Sequence, residues 1–419
     1  MSFTFVLVRP PTLLDDGKLD TIIGPLVRAL ERRGGRVGSE AAIGEPEPLF
    51  YLVATGGTER EILRLDGRRA TSDDPVYLIA HPSNNSLPSA LEVLARLQQD
   101  GRRGQIFSLD GPNDSRGLEA ISVAAENLQV HHALRSGRIG LVGPPSDWLV
   151  ASSPNPDTVQ RIWGPAVIEL DMAELVESIQ QVSHSTIEHE MNALAADASD
   201  IVEPSADDQV AVAGVLGAME SIVERHRLDA LSVRCFDLVL DHRTTGCVAL
   251  ARLNDRGVIA GCEGDLVSTV GMMWVRELLG EIPWMANPAR LDPGRNTLWL
   301  AHCTVPLSLV RSYRLRSHFE SGLGVAIQGT VDPQPVTLLR IGGRDLRELW
   351  LAEGRISASG SSEALCRTQV EIELGTGHVE DLLRRPLGNH LVMTPGHHAD
   401  RLGGWWNASI RPLFSEGAN

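Results

Sequence analysis

Along the first third of the chain, short unbroken apolar runs alternate with longer segments whose apolar residues recur every third or fourth position. The short runs, Phe3–Val8, 49–54, Val76–Ala80 and 106–109, predict strands. The segments 19–32 (stopping at Gly34-Gly35), 59–65 and 87–99 carry helical spacing. Such alternation predicts a parallel sheet with helices on both faces. It restarts near Ser136, with strands at Arg138–Val142, Ala166–Leu170, 231–240 and 258–262. Helices are expected from Met172, over 208–225 and over Leu266–Leu279, and the small, acidic stretch 194–206 reads as a loop. After a break at 280–283 the pattern turns to strands: Thr297–His302, 324–328, 336–341, 349–353 and 368–373. The tail from Gly403, with Trp405-Trp406, reads as a loop. The expected fold class is α/β: two doubly wound parallel-sheet domains at 1–135 and 136–280, then a β-rich C-terminal domain at 281–419.

Composition narrows the function classes. A hydrophobic content of 42% supports packed domains, and a net charge of −16 argues against nucleic acid or an anionic membrane as partner. The five cysteines (Cys235, Cys247, Cys262, Cys303, Cys366) form no Cys-x-x-Cys pair, so they read as reduced, buried thiols of a cytoplasmic protein. No signal peptide or membrane span is expected. Lys18 is the only lysine, which removes a Walker phosphate loop. It stands in a polar stretch, Asp15-Asp16-Gly17-Lys18, that disfavours Schiff-base chemistry. Gly-x-Ser-x-Gly, His-Glu-x-x-His and Gly-x-Gly-x-x-Gly motifs are absent from the sequence.

Candidate chemistry gathers in the second half. Glu263, in Gly261-Cys262-Glu263-Gly264-Asp265, His302, ending a strand-like run, and His390, before Leu391-Val392-Met393, form a carboxylate-plus-two-imidazole set that first-row divalent metals favour. Asp265 would share Glu263's face in an extended segment. The plainer reading of Glu263 and Asp265 is a pair of charges favoured by a helix N-terminus, and a strand-end histidine is more often structural. Trp148 follows a strand at the end where α/β sheets bind ligands, placing it to stack on a bound ligand. Arg311, Arg314, Arg316 and His318 form a basic patch suited to a phosphate or sulfonate group, or to a solvated face with ion pairs.

Three segments carry a family resemblance. Leu7-Val8-Arg9-Pro10-Pro11-Thr12, Cys262-Glu263-Gly264-Asp265 before a helix, and Gly388-Asn389-His390 through Thr394-Pro395-Gly396-His397 resemble segments of the L-fucose isomerase and L-arabinose isomerase superfamily. The resemblance implies a divalent metal of the Mn2+ type held by Glu263, His302 and His390, and a substrate contact from Arg9, often in a neighbouring subunit's site. It also implies a homotrimer or homohexamer. Glu263 would be both ligand and base, with Asp265 a further acid–base candidate. In Trp284-Met285-Ala286-Asn287-Pro288, Asn287 stands where the family has its second acidic ligand. Asn287 can still coordinate or touch substrate through its carbonyl oxygen, but it cannot shuttle a proton. The expected function is metal-dependent interconversion of an aldose and a ketose through an enediolate, on a small-molecule carbohydrate. An epimerase or retro-aldol lyase on the same scaffold, or a non-catalytic sugar-binding protein, is the alternative that Asn287 keeps open.

Overall fold

The structure is a computed structural model that describes residues 2–10, 16–45, 47–69 and 74–411; Pro11, Thr12 and Asp15 lie outside them. The chain divides into two compact units, Met1–His132 and Ala133–Asn419.

In the first unit five parallel strands run in the order Gly35–Gly38, Phe3–Val8, Leu49–Val53, Val76–Ala80, Gly104–Ser108 among the described residues. Alternate side chains leave a strand on opposite faces, and here both faces are covered. Phe3, Phe5, Phe50 and Ile79 pack with Leu26, Leu30 and Ile121. Val6, Val8, Tyr51 and Leu78 pack on the other side with Ile62, Ala90 and Val93. Burial on two faces is why the three central strands, Phe3–Val8, Leu49–Val53 and Val76–Ala80, read as unbroken apolar runs. The helix Ser115–Ser136 has no counterpart in the sequence reading, because its apolar residues include the exposed Val123 as well as the buried Leu118, Ile121 and Leu128. Lys18 falls in the first turn of the helix Asp16–Arg32, which starts before the expected 19–32.

The second unit holds a parallel sheet in the order Ile259–Cys262, Ala230–Val233, Arg138–Val142, Ala166–Leu170. It also holds a closed antiparallel barrel: Trp284–Asp292, Thr297–His302, Thr368–Leu374, Glu348–Gly360, Pro335–Gly342, Leu391–Pro395. The fold class is therefore α/β with parallel sheets flanked by helices and a β-barrel at the C-terminal end. The helix Leu266–Leu279 touches the sheet strands Ala230–Val233 and Ile259–Cys262 and the barrel strands Pro335–Gly342 and Leu391–Pro395. Covered on all sides, it buries every residue from Leu266 to Val275. Gly271 permits the approach to the barrel: a Cβ there would sit 3.3 Å from Leu339 Cδ1 and 3.4 Å from Val392 Cγ2.

The structure departs from the local pattern in several places, among them the stretch 194–206, where the helix His184–Ala196 ends and Asp200–Ile201 is a strand. The strand expected over 231–240 stops at Val233, and Cys235–His242 is a helix; a short apolar run fits either state, and Leu240 is exposed. The tail is the helix Ala399–Ser409 despite Gly403-Gly404. Its Trp405 and Trp406 pack on Trp163 and Trp274 with ring centroids 5.4–5.9 Å apart, and that burial outweighs poor helix propensity. The barrel strand Trp284–Asp292 was hidden by Pro288, where the pairing register shifts. No helix among the described residues is long and apolar enough to cross a membrane.

Candidate active site

The C-terminal edge of the second sheet faces the barrel. Cys262 ends its strand and Glu263 turns the chain with φ +63°, a left-handed conformation costing a non-glycine residue about 1–3 kcal/mol. The turn is held from three sides. Ser146 N–H donates to the Glu263 carbonyl at 2.8 Å, Gly264 N–H to Val233 O at 3.0 Å and Asp265 N–H to Cys262 O at 3.1 Å. Gly264 follows with φ +71°, and a Cβ there would lie 2.7 Å from Pro145 Cα. Gly264→Ala is therefore expected to destabilise the chain by about 1–3 kcal/mol. The urea midpoint reads this, and an unchanged midpoint would mean that the loop 143–148 can retreat.

Glu263 is 8% exposed, and its two oxygens meet different neighbours. Trp148 Nε1–H donates to Oε2 at 2.6 Å, while Oε1 lies 3.7 Å from His390 Nε2. Burial opposes its charge, but the His390 and Trp148 contacts prevail and hold its pKa below the usual glutamate value. His302 and His390 stand with ring centroids 5.4 Å apart. His302 Nδ1 is engaged by Thr304 Oγ1 at 2.8 Å, leaving Nε2. Burial and the neighbouring His390 charge push His302 down to about 4.

Asp265 differs from its expectation. The chain at Glu263 is not extended, so the two carboxylates do not share a face. Asp265 instead caps the helix Leu266–Leu279 and is fully buried. It accepts from Ser268 N and Ser268 Oγ at 2.8 Å each, from His390 Nδ1 at 2.9 Å and from Arg340 Nη1 at 3.4 Å. Burial disfavours its charge, yet the Arg340 guanidinium and His390 hold it well below the usual carboxylate range. The reverse holds for His390. Burial works against its proton, and the Asp265 and Glu263 carboxylates raise it to about 9 in the metal-free chain.

Among the buried polar atoms here without a hydrogen-bond partner are His390 Nε2 and Asn287 Oδ1. The group whose donor atoms all lie within 4.8 Å of one another among the described residues is Cys262, Glu263 and His302. The structure thus brings Glu263, His302, His390 and Trp148 together, with Asp265 behind His390. Trp148, expected to stack on substrate, bonds Glu263 and packs edge-on to Phe236 at 4.9 Å, with 49% of its surface exposed. Arg9 belongs to the first unit, ion-paired with Asp20 at 2.7 Å. The basic patch is neutralised: Arg311 pairs with Asp332, Arg314 with Asp200, and Arg316 with Glu203 and Glu363.

Sequence reasoning missed Arg340. It is 1% exposed and donates to Ser268 Oγ at 2.7 Å, His390 O at 3.0 Å and Ser152 Oγ at 2.5 Å. Its signal was an arginine inside the apolar run Val336-Thr337-Leu338-Leu339-Arg340-Ile341. Gly388, at φ +143°, makes room for it, since a Cβ there would run into the guanidinium.

The chain is similar to sulfoquinovose isomerases. With that of Clostridium sp. (strain MSTE9) it is 22% identical over 297 residues, covering 69% of this chain and 66% of the relative. With those of Priestia aryabhattai and Priestia megaterium (strain ATCC 12872 / QMB1551) it is 21% identical over 285 residues, covering 66% of this chain and 63% of each relative. The chain thus spans slightly under two thirds of the length of these relatives. No family model matches it.

Proposed function

We propose that this chain is an aldose–ketose isomerase acting on a sulfonated hexose of the sulfoquinovose kind. One observation carries the reading: a buried carboxylate, Glu263, is fixed in a rare backbone conformation at the ligand-binding edge of a parallel sheet, with two barrel histidines beside it. Similarity to sulfoquinovose isomerases supports the reaction and the substrate class.

The donor set fits a divalent metal. Asp265 accepts the Nδ1 hydrogen of His390 and leaves the unpartnered Nε2 for a ligand, the arrangement in which a carboxylate orients a metal-binding imidazole. Glu263, His302 and His390 would hold the ion, and Asn287 offers its buried, unpartnered carbonyl oxygen. When bound, such an ion supplies Lewis-acid stabilisation of negative charge developing on the sugar oxygens. Glu263 moves the proton between neighbouring carbons, and Trp148 anchors its Oε2 so that Oε1 keeps a fixed aim. Asp265, saturated with donors, positions His390 and takes no proton from substrate.

The test is a panel of sugars and sulfonated sugars incubated with the full chain and, in turn, Mn2+, Co2+ and Zn2+ in deuterated water and followed by NMR. Solvent deuterium is expected at C1 or C2, with the sulfonated hexose exchanging fastest; no exchange with any sugar sinks the reading. Asn287, in place of an acid, favours one rival, an epimerase or retro-aldol lyase, whose products the same spectra distinguish. In parallel, His390→Ala is expected to lose bound metal in elemental analysis, and an unchanged metal content removes His390 from the ligand set.

A further inference from the structure

We propose that Cys262 is itself a ligand of this metal centre, so that the site is built for a thiophilic divalent ion, zinc above all, rather than for Mn2+. The proposal rests on the metal reading above. The Cys262 sulfur, a Glu263 oxygen and a His302 nitrogen, all buried, converge within 4.8 Å of one another. Around a tetrahedral ion with Zn–S near 2.3 Å and Zn–N near 2.0–2.1 Å, donor atoms stand roughly 3.5 Å apart, so closure needs movements of about an ångström. His390 Nε2, fully buried and unpartnered 3.7 Å from Glu263 Oε1, lies outside that 4.8 Å group and would fill a fourth corner by moving in on the ion.

In the metal-free chain the Cys235 contact, burial and the Glu263 charge push the Cys262 thiol pKa up, so the ion itself must draw off the proton. Cys235 Sγ lies 2.9 Å from Cys262 Sγ, and its S–H can donate to a sulfur that has given up its own proton. The Cys262 N–H is tied to Met285 Sδ at 3.2 Å, which fixes the strand end and hence the direction of the sulfur. On ligation the thiol proton leaves to solvent, a sulfur lone pair bonds the ion, and no electron changes owner. A centre of this kind selects against the hard, oxygen-preferring Mn2+ beyond the ordinary preference of any nitrogen–oxygen site for zinc. Raw zinc-over-manganese affinity is therefore not a test; its change on removing the sulfur is.

The experiment uses the full chain, fully reduced and freed of metal, titrated with Co2+. Expected are visible ligand-field bands together with a thiolate-to-cobalt charge-transfer band in the near ultraviolet. Cys262→Ser should keep the former and lose the latter. Its zinc affinity should fall by at least the roughly 10–100-fold that loss of even an outer partner costs, and its manganese affinity by less. Cys235→Ser should retain the charge-transfer band. Cobalt binding to the wild type without that band, or a band that survives Cys262→Ser, overturns the sulfur ligand and leaves the metal reading standing. A wild type that retains neither cobalt, zinc nor manganese overturns both.

Discussion

Glu263→Gln is expected to lower turnover by about 10²–10⁴-fold, the range a positioned general base supplies, while the circular dichroism and the unfolding midpoint stay near wild type. Glutamine keeps the shape and can still accept the Trp148 N–H through its amide oxygen, so the loop bearing Trp148 keeps its anchor. What it loses is the negative charge that faces His390 at 3.7 Å and the ability to carry a proton. Deuterium wash-in measured alongside net conversion separates the two roles. If wash-in persists at the wild-type rate, Glu263 is not the base, whatever happens to metal content.

Arg340→Leu is expected to destabilise the second unit by about 3–5 kcal/mol, the usual result of leaving a buried charge without its partner. Asp265 is 0% exposed and would keep only His390 and Ser268 as donors. Adding Asp265→Asn to Arg340→Leu should restore part of the loss, because the orphaned charge is then gone. The pH dependence has a definite sign. The folded-state pKa of Asp265 lies below its unfolded value, so the stability it contributes is present above about pH 4. That stability is lost as pH falls through the folded value. Urea midpoints measured from neutral to acid pH should fall more steeply for wild type than for Asp265→Asn. Parallel curves would show that the Asp265 charge contributes nothing to folding.

Much of the fold was legible because burial on both faces or all round leaves an unmistakable mark. The strands Phe3–Val8 and Val76–Ala80 and the helix Leu266–Leu279 appear where their apolar runs place them. Elements were lost where the pattern carries mixed signals: Pro288 inside a barrel strand, Gly403-Gly404 inside a helix held by its tryptophans, and the run after Val233 that suits strand or helix equally. In the site, Glu263, His302 and His390 were readable as candidates from their residue types, and the structure brings the three side chains near one another. The left-handed turn at Glu263 was not readable, because its conformation is imposed by the loop 143–148 and by Val233, far away in sequence. That turn separates Glu263 from Asp265. Arg340 and Ser152 lay outside the reading for a related reason: they act on the site only through Asp265 and His390, and no local spacing announces a partner 188 residues away.

The packing of Trp163, Trp274, Trp405 and Trp406, with ring centroids 5.4–5.9 Å apart, puts several indole transition dipoles within strong-coupling range. Trp274 belongs to the same helix that Asp265 caps. The molecule therefore carries an intrinsic optical gauge: an exciton couplet in its ultraviolet dichroism and a quenched, shifted emission should respond whenever that helix slides or rotates, reporting remotely and without a label on events at its opposite end.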